Sequence, residues 1–143
     1  MNLSPSLKTK ERAYGQAKFT ANGVLVLDKP TGLTSHDVVK EVKIRLGAAK
    51  VGHSGTLDPF ATGVLILLIN GATKLAQFLL NQDKKYRFTV HFGVETDTQD
   101  STGKVVATHP CDPLPEGEIR KACAAFVGEI EQKVPRFSAV RAR

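Results

Sequence analysis

An α+β domain, with a mixed and largely antiparallel sheet and flanking helices, is the fold class this sequence predicts. Three observations carry it: a helical apolar stripe ending near Gly47, an unbroken apolar run at residues 64–69, and strict alternation at residues 86–92. The helix needs a surface to cover, the run needs cover on both faces, and the alternating segment needs cover on one.

Residues 1–22 carry Lys8, Lys10, Arg12 and Lys18 without any sustained period, and read as a flexible basic arm. Residues 23–143 read as the ordered part. Residues 24–27 form a short apolar strand, stopped by the turn-rich string Asp28-Lys29-Pro30-Thr31-Gly32. Thr34 and Asp37 have capping-box spacing, Val38, Val39, Val42 and Leu46 form one stripe, and Gly47 is placed to end the helix. Lys40, Lys43 and Arg45 leave its outer side basic, as a solvated face or as a set of phosphate contacts. The run at residues 64–69 predicts a central strand covered on both faces. Residues 73–80 predict a short helix with Leu75, Phe78 and Leu79 inward. Residues 86–92 predict a strand with Tyr86, Phe88, Val90 and Phe92 on one side. Asp100-Ser101-Thr102-Gly103 is a turn leading to residues 105–107, a hairpin-like return. Pro113 and Pro115 precede a helix over residues 116–127 with Ile119, Cys123 and Phe126 inward, and residues 130–134 close the order as a last strand.

The chain has 143 residues, 41% hydrophobic and 24% charged, which suits one water-soluble domain with a core. Its longest apolar run is far too short to cross a bilayer, and no leader-like pattern opens it, so a cytoplasmic protein is expected. Cys111 and Cys123 lack metal or redox spacing, and the four histidines are scattered, so neither metal nor cofactor is expected. The net charge of +6 is uneven: residues 1–50 hold nine Lys/Arg against four Asp/Glu, and residues 132–143 hold four against none. Basic ends around a near-neutral body suit an acidic partner such as RNA.

One carboxylate stands apart. Asp58 lies in Gly52-His53-Ser54-Gly55-Thr56-Leu57-Asp58-Pro59-Phe60-Ala61-Thr62-Gly63, a glycine-rich loop between the basic helix and the apolar strand. Loops fixed by rigid elements are where chemistry tends to sit. Asp-Pro is also a good helix start, with Asp58 as N-cap and Pro59 at the first helical position.

The whole string resembles the bacterial tRNA pseudouridine synthase B family, whose pattern reads G-H-x-G-x-L-D-P-x-A-T-G-x-L. Gly23-Val24-Leu25-Val26-Leu27-Asp28-Lys29-Pro30 with Gly32-Leu33-Thr34-Ser35 is similar to the family's first motif. Lys84-Lys85-Tyr86-Arg87 and Thr96-Asp97-Thr98, with Asp100 and Gly103, match further segments. The resemblance runs in one register from about Gly23 onward. It implies the N-terminal part of a pseudouridine synthase-like domain, incomplete in its sheet, with the active site in a cleft across the sheet. It further implies isomerisation of a T-loop uridine in tRNA, with Asp58 as the catalytic carboxylate. Tyr86 would pack on the extruded uracil and His53 would help hold the rearranged T-loop; Lys29 and Pro30 would support the loop. The plainer readings are a core-facing strand tyrosine and a histidine that hydrogen-bonds a turn.

Two departures from the pattern matter. Near the end, Val134 replaces a family proline and Phe137 replaces a tyrosine, removing a hydroxyl. The chain also stops at Arg143, before the part that supplies the family's arginine partner to the aspartate. Arg141-Ala142-Arg143 is no substitute, because an arginine pairs usefully only when its fork is held. The expectation is therefore a chain that carries the nucleophile and is poorly active alone, or a fragment whose partner is the missing C-terminal part of the same protein. An RNA-binding remnant without catalysis and a guide-dependent synthase are the alternatives. A phosphate-cradling loop lacks its Lys-Ser/Thr, and a serine hydrolase lacks its nucleophile elbow.

Overall fold

A computed structural model describes residues 18–131, and the chain divides into two compact units, Met1–Lys85 and Tyr86–Arg143. Each unit mixes helix with antiparallel sheet, so the α+β class stands.

The first unit contains β1 (Gly23–Lys29), α1 (Ser35–Leu46), β2 (Val51–His53), β3 (Gly63–Ile69), a 3-10 turn (Asn70–Leu75) and α2 (Ala76–Leu79). Its sheet runs β1-β3-β2, antiparallel throughout, with the apolar run at its centre. Strand β2 goes beyond the sequence reading: three residues with a glycine in the middle leave no alternation to detect.

Register explains the packing. Leu25 opposes Leu67, Leu27 opposes Leu65 and Lys29 opposes Gly63, so these side chains share the face toward α1. Leu65 and Leu67 pack there with Val38 and Val39 of α1, and Leu27, Leu33, Val42 and Val51 border them. Burying each large aliphatic stabilises by about 1.5–3 kcal/mol. On the other face Val24 opposes Leu68 and Val26 opposes Ile66. That face is only half covered: Leu68 is buried, whereas Val64 is 70% exposed. Cover on both faces therefore holds for the far half of β3 and fails at the half nearest the Asp58 loop.

Helix α1 starts and stops as its sequence predicts. The Thr34 hydroxyl accepts from the Asp37 amide at 3.0 Å, and the Asp37 carboxylate accepts from the Thr34 amide at 2.9 Å. Gly47 takes a left-handed φ of 62° that a side chain would oppose, and its amide reaches the Ile44 carbonyl at 3.2 Å.

At the opposite end of the sheet, Asn70 (φ 52°) gathers the chain before β1: its side-chain Nδ2 donates to the Phe19 and Ala21 carbonyls at 3.0 and 2.8 Å. The Asn22 side chain accepts from the Gly71 amide at 2.7 Å. Residues 18–22 of the expected flexible arm are thus tied to the fold, and residues 1–17 lie outside the described residues.

The second unit contains β4 (Val94–Thr96), paired antiparallel with β5 (Val105–Thr108), and α3 (Glu116–Ala124). The hairpin return is present, but its first strand is β4. Residues 86–92 alternate without forming a strand, because among the described residues no neighbour pairs with them. Leu75, Phe78, Cys123 and Phe126, expected inward, are exposed. Ile119 and Leu79 are half-buried. A spacing selects which residues share a helix face and says nothing of whether another element covers it. Residues 130 and 131 form no strand, and residues 132–143, including Val134, Phe137 and the arginine tail, lie outside the described residues. No described helix is long and apolar enough to cross a membrane.

Candidate active site

Strand β2 delivers residues 54–62 as a loop that returns into β3, beside the turn leaving β1. The two segments are stitched together on both sides of Asp58. Before it, the buried Ser35 hydroxyl at the start of α1 accepts from the Leu57 amide at 2.9 Å and donates to its carbonyl at 3.4 Å. After it, the Pro59 carbonyl accepts from the Gly32 amide at 2.7 Å and from the Lys29 ammonium at 3.2 Å. The Thr31 hydroxyl donates to the Phe60 carbonyl at 3.1 Å. Gly32 can aim its amide this way because it adopts φ 84°, a conformation open to glycine at little cost.

Lys29 is the centre of this arrangement. Its register puts it on the core side of β1, where it is 0% exposed. Burying an ammonium is costly unless its donors are satisfied. Here they are: Nζ donates to the carbonyls of Pro30 at 2.9 Å, Leu33 at 2.6 Å and Pro59 at 3.2 Å. Burial lowers its pKa from the usual 10.5, and the negative charge of Asp58 opposes that shift. Three acceptors occupy its three donors. Lys29 therefore offers Asp58 a nearby positive charge without a hydrogen bond.

The Asp58 side chain is exposed. Its backbone carbonyl accepts from the Ala61 amide at 3.1 Å, closing one turn. No described residue hydrogen-bonds its carboxylate, and no helix follows Pro59, so Asp58 is not acting as a helix cap. The result is a fixed backbone presenting an uncommitted carboxylate to solvent.

His53 ends β2 opposite Leu67 and is half-buried. Its Nδ1 is buried and has no hydrogen-bond partner among the described residues. Leaving such an atom unpaired costs roughly 1–3 kcal/mol. Tyr86 opens the second unit in an irregular run and is 62% exposed, so it is not the core-facing strand residue of the plainer reading. Of the five residues singled out, the fold brings Asp58, Lys29 and Pro30 together by hydrogen bonds or charge.

Ser35, Gly32 and Thr31 escaped the sequence reading as individual site residues. The available signal was a small hydroxyl directly after the capping Thr34, on the buried side of α1. Ser54, beside His53, is buried with its amide bonded to the Ile66 carbonyl at 3.1 Å, unlike an exposed nucleophile.

Residues 43–143 match the family model described as TruB family pseudouridylate synthase (N terminal domain). The chain is 47% identical over 126 residues to tRNA pseudouridine synthase B of Opitutus terrae, covering 88% of the chain and 52% of that relative. It is 53% identical over 122 residues to tRNA pseudouridine synthase B of Aquifex aeolicus, covering 82% of the chain and 41% of the relative. For the protein of that name from Aromatoleum aromaticum, identity is 51% over 130 residues, with coverages of 91% and 42%. The chain thus spans about half the length of these relatives.

Proposed function

The chain belongs to the TruB family of pseudouridylate synthases, and from that premise we propose that it carries the catalytic loop of an enzyme that converts a T-loop uridine of tRNA into pseudouridine. The reaction breaks the bond from ribose C1′ to uracil N1, turns the base and joins C1′ to C5. The C5 hydrogen leaves as a proton and N1 ends protonated, so nothing is oxidised or hydrolysed. What the protein must supply is one positioned carboxylate, as nucleophile or base. Asp58 fills that role.

The observation that carries this reading is the clamp: Leu57 and Pro59 are both held from the Lys29–Ser35 side while the carboxylate between them stays open. A carboxylate fixed before substrate arrives needs little reorganisation during reaction. Lys29 and Pro30 act by holding the loop, and the Lys29 charge keeps a cation beside the anion. The target uridine must leave its stack, at a cost of about a few kcal/mol. Tyr86 offsets that by packing on the uracil, and His53 contacts the T-loop where the base has left. The partner is the T-arm of tRNA, met by the basic residues of the chain, in the cytoplasm.

Release of tritium from C5-labelled uridine in a T-arm RNA, measured with the purified chain, tests the proposal. Asp58→Asn should lower release by roughly 10³-fold or more, with RNA affinity unchanged. If wild-type chain binds the RNA and releases nothing, both alone and when supplied with the C-terminal part of a full-length relative, it is an RNA-binding remnant. If release requires a guide RNA, the guide-dependent reading takes over.

A further inference from the structure

Phe60 is 43% exposed on the same short turn as Asp58, and neither the family pattern nor the catalytic assignment uses its ring. An isolated exposed phenylalanine is ordinary on a protein surface. This one sits on a backbone that cannot easily retract it: its carbonyl is held by Thr31, the preceding carbonyl by Gly32 and Lys29, and the following amide by Asp58. We propose that the Phe60 ring stacks on the RNA base next to the uridine that Asp58 acts on. This rests on the function proposed above and adds a substrate-positioning residue to it.

Reach and chemistry both fit. Phe60 lies two positions after Asp58, so their Cα atoms are at most about 7 Å apart. Successive bases rise about 3.4 Å along a strand. A base adjacent to the nucleotide at Asp58 is therefore within the reach of the ring. Flipping a base out strips its neighbours of a stacking face, and an aromatic ring restores it whatever the base. The other exposed apolar groups nearby, Val64 and Val26, are aliphatic and belong to the open sheet face.

The test uses a T-arm stem-loop with 2-aminopurine in place of the base beside the target uridine. On binding wild-type chain, Phe60 stacking should keep the probe dim. Phe60→Ala should make the complex several-fold brighter and weaken RNA affinity about tenfold, without lowering the melting temperature of the protein. Phe60→Leu, which keeps apolar bulk and loses the ring, should behave like Phe60→Ala; Phe60→Tyr should restore wild-type values. Leu matching Phe, or Ala leaving brightness and affinity unchanged, overturns the stacking role while C5 tritium release by wild-type chain leaves the proposed function standing. Wild-type chain that neither binds the RNA nor releases tritium overturns both.

Discussion

In the first unit, a three-stranded sheet and α1 bury Val38, Val39, Leu65 and Leu67 against one another, and Lys29 is sealed at their margin. In the second unit, no described residue is buried. Both units obey the same local rules. The β4–β5 turn is as well bonded as any: Asp100 accepts from the Thr98 and Thr102 hydroxyls at 2.7 and 2.6 Å and from the Thr102 amide at 2.8 Å. Among its described residues no layer covers the β4–β5 pair, and a two-stranded hairpin has no face it can bury alone. The contrast teaches that turn chemistry shapes a segment, while a core needs at least two elements with facing apolar sides.

The largest stability effect should come from the centre of the first unit. Leu67→Ala should cost about 2–5 kcal/mol, whereas Phe126→Ala, 72% exposed on the second, should stay within about 0.5 kcal/mol. Urea unfolding measures both, and equal losses would break the contrast. Lys29→Met comes next. It leaves the carbonyls of Pro30 and Leu33 without their buried donor, so a loss of about 2–3 kcal/mol is expected. Because the same side chain holds Pro59, tritium release should fall beyond what the remaining folded fraction explains. Unaltered turnover in that variant would separate the core from the site.

Smaller still is the helix start. Thr34→Ala should lower stability by about 1 kcal/mol, read from the same unfolding curves.

The pH profile sharpens these assignments. Hydrogen bonds from the Thr34 hydroxyl and amide lower the Asp37 pKa below its ordinary 3.8. Their contribution is complete above that value and disappears as pH falls through the lowered folded-state value. Lys29 works in the opposite sense. Its folded-state pKa lies below 10.5, so the unfolded chain binds the proton more tightly and stability rises with pH between the two values. Lys29→Met should flatten that alkaline rise, and Thr34→Ala should flatten the acid limb.

Most of the first unit was legible in sequence because its signals are local. Capping residues, a stripe at helical spacing and an unbroken apolar run each act within a few residues. Asp58 was legible through its motif, and the importance of the Lys29–Ser35 string through its resemblance. The hydrogen bonds that join the two strings were not, because they link positions some thirty residues apart, as from Lys29 to Pro59. The second unit misled for the complementary reason. Alternation at residues 86–92 and the spacing of Ile119, Cys123 and Phe126 state what could be covered, and only neighbouring elements determine what is.

By itself, then, the order of residues determined where helices cap, where β3 runs and which carboxylate stands in a glycine-rich loop. Tertiary structure alone decided that Lys29 turns inward with Leu27, that Ser35 and Gly32 grip the loop from either side, and that no described residue hydrogen-bonds the Asp58 carboxylate. Strand register carries Lys29 into a place where its ammonium must find carbonyls, and the Pro59 carbonyl among them fixes the backbone beside the aspartate.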